Sequence, residues 1–209
     1  MKIRTPAALV AMILALSGAA ASPAQAQQSR SDVADCVHGA WESTGVTVES
    51  QAKDDFQVDG GGGVSLIIAD DGNATLDFGR MQRATFSGIK HDTEVRGFVE
   101  LRGEATGTVS TTAHSGNSGT IKADDVDWGD VELTVALTEP FSSRPFDRTR
   151  VDELRQLPQN HRHNGMHWPT LTEATYRCGD GTLTLASTVQ DQRHNDHAKL
   201  TWTFERPTR

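Results

Sequence analysis

Residues 64–78 read VSLIIADDGNATLDF. Val64, Leu66 and Ile68 alternate with Ser65, Ile67 and Ala69; Asp70-Asp71-Gly72-Asn73 supplies turn chemistry; Ala74, Leu76 and Phe78 then return on alternate positions. A period of two on both sides of a turn predicts a β-hairpin with one face in a core. The rhythm recurs outward. Glu94 to Arg102 and Glu104 to Thr112 flank Gly103, and Val131, Leu133, Val135 and Leu137 alternate with polar neighbours. Tyr176 and Cys178 precede the Gly179-Asp180-Gly181 turn before Leu183 and Leu185, and Leu200, Trp202 and Phe204 close the series. This alternation belongs to antiparallel sheets with one wet face. It predicts an all-β chain of about 8–10 strands, enough that the sheet must curl, split or close.

The first residues read as an export signal. Lys2 and Arg4 make a basic start, Ala7 to Leu16 is apolar, and Ala24-Gln25-Ala26 places small residues before a cut at Gln27. The apolar run is too short to span a membrane comfortably. Residues 1–26 are therefore expected to be a cleaved signal peptide and residues 27–35 (QQSRSDVAD) a disordered polar lead-in. Residues 36–206 then form the barrel domain, in a secreted or periplasmic setting. Cleavage removes Lys2 and Arg4 from the 20 Lys+Arg and leaves all 28 Asp+Glu, a balance of −10. Such a chain repels nucleic-acid backbones and anionic membrane surfaces.

The two cysteines, Cys36 and Cys178, lack a Cys-x-x-Cys context. An even pair in an exported protein predicts a disulfide, here closing a loop of about 140 residues.

Cys36 opens the hexapeptide CVHGAW, which holds Gly39-x-Trp41 on the first strand; at the other end, Trp202-x-Phe204-x-Arg206 closes the last strand. In these residues the chain resembles the lipocalins and the wider calycin group. The resemblance implies a closed up-and-down barrel in which Arg206 packs over the Trp41 indole. It further implies binding of a small apolar or amphipathic molecule inside the barrel, without catalysis. Alternation offers Phe78, Phe98, Leu133, Tyr176 and Leu185 as the lining. Gly39, Trp41, Trp202, Arg206, Cys36 and Cys178 take structural roles.

Residues 139–170 break the rhythm with Pro140, Pro145, Pro158 and Pro169. They predict a long loop or lid with no central strand, carrying one short helix capped near Thr149 and turned on Val151, Leu154 and Leu157. This segment is also the expected contact should the barrel serve a protein partner. Inside it, His161, His163 and His167 form H-x-H-x3-H, a set that can supply three nitrogens to Zn²⁺ or Cu²⁺ or can be a solvated loop. The acidic run Asp124 to Asp130 lacks the spacing of a calcium loop and reads as a solvated turn. Gly60 to Gly63 has no phosphate-loop context and reads as an inter-strand linker. No G-x-S-x-G or H-E-x-x-H motif occurs, and no catalytic residue is assigned.

Overall fold

The computed structural model describes residues 33–50, 57–90, 92–156, 173–191 and 196–208. These described residues form thirteen antiparallel strands and one short helix, in chain order. They are β1 (Gly39–Ser50), β2 (Gln57–Gly60), β3 (Ser65–Ile68), β4 (Asn73–Asp77), β5 (Ala84–Lys90), β6 (Thr93–Arg102) and β7 (Glu104–Ser115). Then come β8 (Ser118–Asp127), β9 (Glu132–Glu139), β10 (Ser143–Arg150), α1 (Val151–Gln156), β11 (Glu173–Gly179), β12 (Thr182–Asp191) and β13 (Asp196–Glu205).

The hydrogen-bonded ring runs β1–β13–β12–β11–β8–β7–β4–β3 and returns to β1, a closed eight-stranded barrel. In chain order these strands are β1, β3, β4, β7, β8, β11, β12 and β13, so each ring neighbour is the next ring strand along the chain. That is an up-and-down meander, as the resemblance implies. The other five strands are inserted between ring strands. They pair with one another as β2–β5–β6–β9–β10, a wing joined to the second half of β1 through β2. The wing accounts for the strands beyond the expected eight to ten.

The fork between barrel and wing lies at Gly60–Gly63, on one edge of β1. Gly39–Glu42 pair with β3, whereas Val48 and Glu49 pair with β2. The four glycines between are therefore no slack linker. Gly60, Gly61 and Gly63 have φ of 102°, 75° and 82°, and a side chain at Gly60 would meet the Arg83 carbonyl at 2.6 Å. Glycine alone permits both the left-handed backbone and the close approach. Buried Ser43 fastens the fork: its Oγ donates to the Gly61 carbonyl (3.0 Å) and accepts from the Val64 amide (2.8 Å).

The described part of the segment expected as a proline-broken loop holds a strand and a helix. Ser143–Arg150 form β10, the wing's outermost strand, and pair with β9 through two register shifts. Pro145 fits because an edge strand has a row of amides that need no ladder partner. The short helix is present as α1, with Asp152 and Glu153 in its first turn. Val151 is buried, and its amide donates to the Val131 carbonyl (2.9 Å), which sets α1 against the start of β9. Leu157 and the rest of the expected loop lie outside the described residues.

The barrel is fastened where the chain ends meet. Cys36 and Cys178 form the disulfide, with Cα atoms 6.1 Å apart. The Arg206 guanidinium carbon sits 3.7 Å from the centre of the buried Trp41 ring, and the Trp41 indole N–H donates to the Val37 carbonyl (2.8 Å). Val33 and Ala34, at the end of the expected lead-in, are packed against this closure. Val33 is buried, and the Ala34 amide donates to Thr111 Oγ1 (2.7 Å).

Candidate functional site

An apolar cavity of about 60 Å³ lies inside the barrel between β3, β4, β7 and β8. Leu66, Ile68 and Leu76 form one wall, and Leu185 of β12 reaches it from across the barrel. Its volume exists because Ala74, Ala105, Gly107 and Ala123 also line it: four small residues on three neighbouring strands leave space that larger side chains would fill. Trp128 lines the cavity just past the end of β8, and the Phe78 ring stacks behind it at 6.4 Å between centroids.

Of the five residues expected to line a cavity, Leu185 does so. Phe78 backs Trp128. Leu133 is fully buried in the wing, paired with Leu101 of β6. Tyr176 points into the barrel, its ring over Gly119, where a Cβ would meet the phenol oxygen at 2.8 Å. Phe98 is a correction. Buried Gly97 and Leu101 share the inner face of β6, so Phe98 has the opposite parity and lies on the wing's outer face, beneath the Arg83 guanidinium at 4.2 Å. Alternation identified its two possible faces, and only sheet packing chooses between them.

That outer face is a network of charges. Glu100 accepts from Arg83 Nε (3.0 Å) and Arg102 Nε (2.8 Å), and the Arg102 guanidinium also donates to the Gly79 carbonyl (2.6 Å). Partial burial works to raise the Glu100 pKa, but the hydrogen bonds and charges of the two arginines outweigh it and hold the carboxylate below its ordinary value. Arg148 extends the row to Glu132 (2.8 Å). These groups pair with one another, and the arrangement reads as structural.

His161, His163 and His167 lie outside the described residues. Among the described residues no group of three or more His, Cys, Asp or Glu side chains is placed to hold a metal ion. The acidic run is strand first and turn second: Asp124–Asp127 end β8, where Asp124 pairs with Lys122 (2.8 Å), and Asp127 Oδ1 accepts from the Gly129 amide (2.8 Å) in the turn that follows.

The residues that sequence reasoning missed are the small ones. Ala105, Gly107 and Val109 alternate with Glu104, Thr106 and Thr108 along β7, so the inward set could be read from the sequence. Large apolar residues fill space and small ones leave it, so this cavity is set by the small residues of the inward face.

The chain is thus a closed antiparallel β-barrel of the up-and-down class, consistent with a lipocalin-like architecture and extended by a five-stranded wing. No protein-family model matches it, and no curated protein or solved structure gives a match.

Proposed function

We propose that this is an exported, non-enzymatic binding protein of lipocalin-like type that holds a small apolar or amphipathic molecule in its barrel. The observation that carries the reading is the apolar cavity flanked by small side chains inside a closed barrel, an arrangement that suits ligand holding. At about 60 Å³ it is well below the roughly 300–1,000 Å³ of sites for drug-sized ligands. The part of a ligand it accepts is therefore a short aliphatic group. The Cys36–Cys178 disulfide supports an oxidising compartment, and among the described residues no helix is long and apolar enough to cross a membrane.

Native mass spectrometry of the exported protein tests the reading. A stoichiometric adduct is expected in the wild type and its loss in Ala123→Leu, which fills the cavity. Wild-type protein with no adduct, and with no uptake of short-chain probes, overturns it.

A second reading, a protein-interaction module, is favoured by the wing tip. Ile89 and Phe141 are 52% and 62% exposed there, the latter within the segment expected as a partner contact. Capture of a partner that survives Ala123→Leu and is lost in Phe141→Ser would favour it.

A further inference from the structure

Two turns that leave barrel strands are built alike. Asp77-Phe78-Gly79 carries the chain out of β4, and Asp127-Trp128-Gly129 carries it out of β8. In each, the aspartate Oδ1 accepts from the glycine amide two residues on (2.7 and 2.8 Å). The aromatic residue's carbonyl then accepts from the amide of Met81 or Val131 (3.0 and 2.9 Å). In each, an arginine guanidinium donates to the glycine carbonyl, Arg102 to Gly79 and Arg150 to Gly129. Arg102 and Arg150 are the last residues of β6 and β10, the return strands of the two wing hairpins. The wing thus clamps both turns, and the turns present the stacked pair Phe78 and Trp128.

Of that pair, Trp128 lines the cavity, and a β-bulge turns it there. Thr108 pairs with Asp124 and Thr106 with Asp127, so Asp125 and Val126 together oppose Gly107. Asp125 takes a φ of 51°, and a side chain at Gly107 would meet the Val126 Cα at 3.2 Å. Ile121 and Ala123 line the cavity, and unbroken alternation would send Asp125 and Asp127 in after them. The extra residue sends Val126 and Trp128 instead. Phe78, buried behind the indole, blocks its retreat on that side. Trp128 lies between β8 and β9, so the turn bonds and the Arg150 clamp fix its place. The bond from the Val151 amide to the Val131 carbonyl ties the same turn to α1.

We propose that Trp128 decides which ligands the cavity admits, and that Arg150, which is not on the lining, is its positioning residue. Trp128 is the largest side chain on the lining. With the indole in place the space takes a short linear alkyl group; a ring needs the volume that the indole fills. The wing thereby sets the width of the ligand from outside the barrel. This rests on the reading of the barrel as a binding protein.

The test compares a linear probe, n-butanol, with a ring probe, benzyl alcohol, by ligand-observed NMR titration. The proteins are wild type, Trp128→Ala, Arg150→Ala and Arg148→Ala, the last a neighbouring arginine of β10 that pairs with Glu132. The wild type is expected to prefer n-butanol, and Trp128→Ala to invert that preference. Arg150→Ala is expected to shift it the same way by about threefold to tenfold, the equivalent of one net hydrogen bond, and Arg148→Ala to leave it unchanged. Emission from Trp128, taken as the difference between each protein and its Trp128→Phe counterpart, is expected to move to longer wavelength in Arg150→Ala alone. A purely stabilising role for Arg150 would move neither the preference nor the emission. A wild type that prefers benzyl alcohol, a preference that survives Trp128→Ala, or equal behaviour of Arg150→Ala and Arg148→Ala overturns the proposal and leaves the binding role of the cavity standing. Binding of neither alcohol to the wild type overturns that reading and the proposal with it. Should Trp128→Ala fail to fold, Trp128→Leu takes its place, and the two arginine variants still decide between the outcomes.

Discussion

The guanidinium of Arg206 occupies the space that a side chain at Gly39 would need. The glycine of the Gly-x-Trp tripeptide thus has a direct physical role. With φ of 107° and no Cβ, Gly39 lets Arg206 cross the strand and lie over the Trp41 ring. The tripeptide and the terminal arginine are two halves of one contact, and that contact holds the first strand to the last.

Arg206→Met is expected to lower stability by about 0.5–2 kcal/mol, the range of a cation–π contact. Gly39→Ala is expected to cost more, because it disfavours the backbone conformation and also displaces the guanidinium. Urea denaturation of both single variants and the double variant checks this. The two losses should be less than additive, since either substitution removes the same contact.

Reducing the Cys36–Cys178 bond, or replacing both cysteines by alanine, is expected to cost about 2–5 kcal/mol. The bond spans 142 residues of sequence and ties the lead-in of β1 to β11, so its loss frees most of the unfolded chain. Thermal melts with and without reductant report the shift.

At the fork, Ser43→Ala is expected to destabilise by about 1–3 kcal/mol, because the buried Gly61 carbonyl and Val64 amide lose their hydroxyl partner. Amide hydrogen exchange should rise first around residues 57–68. Uniform exchange loss across the barrel would contradict a local role for the fork.

Acid stability follows from Glu100. Its carboxylate is held below the ordinary value by Arg83 and Arg102, so its contribution is fully present above an unfolded pKa of about 4.3. That contribution is lost as pH falls through the lower folded value. Glu100→Gln is expected to reduce stability at neutral pH and to flatten the loss between neutral pH and strong acid. Denaturation midpoints measured across that range for both proteins check the sign.

Filling the cavity with Ala123→Leu is expected to change stability by less than about 1.5 kcal/mol if the added methylenes occupy existing space. A much larger loss, read by urea denaturation, would show that the space cannot take an aliphatic group.

How much was legible varies with the range over which each feature is encoded. The hairpin at 64–78 and the other strands announce themselves within a few residues, since period-two alternation and turn residues are local properties. Cys36 could be matched with Cys178 because the sequence holds two cysteines, and Gly39-x-Trp41 with Arg206 because the resemblance to the lipocalins implies that contact. β10 was missed because proline reads as a strand breaker unless the strand is known to be an edge. Phe98 lies on the outer face of β6 and not on the expected lining, because alternation defines two faces and leaves their environment open.

By itself, the sequence determined that this chain is antiparallel β with a pair of cysteines to link, and the resemblance of its two ends to the lipocalins implied closure. Only the tertiary structure decided that β2, β5, β6, β9 and β10 leave the ring as a wing, since their pairing joins strands far apart in the chain. It alone brought the small residues of three strands, β4, β7 and β8, around one volume and paired Leu185 with Tyr176 and Trp202. Local periodicity specifies which residues turn inward. What they meet there depends on the register and curvature of every other strand.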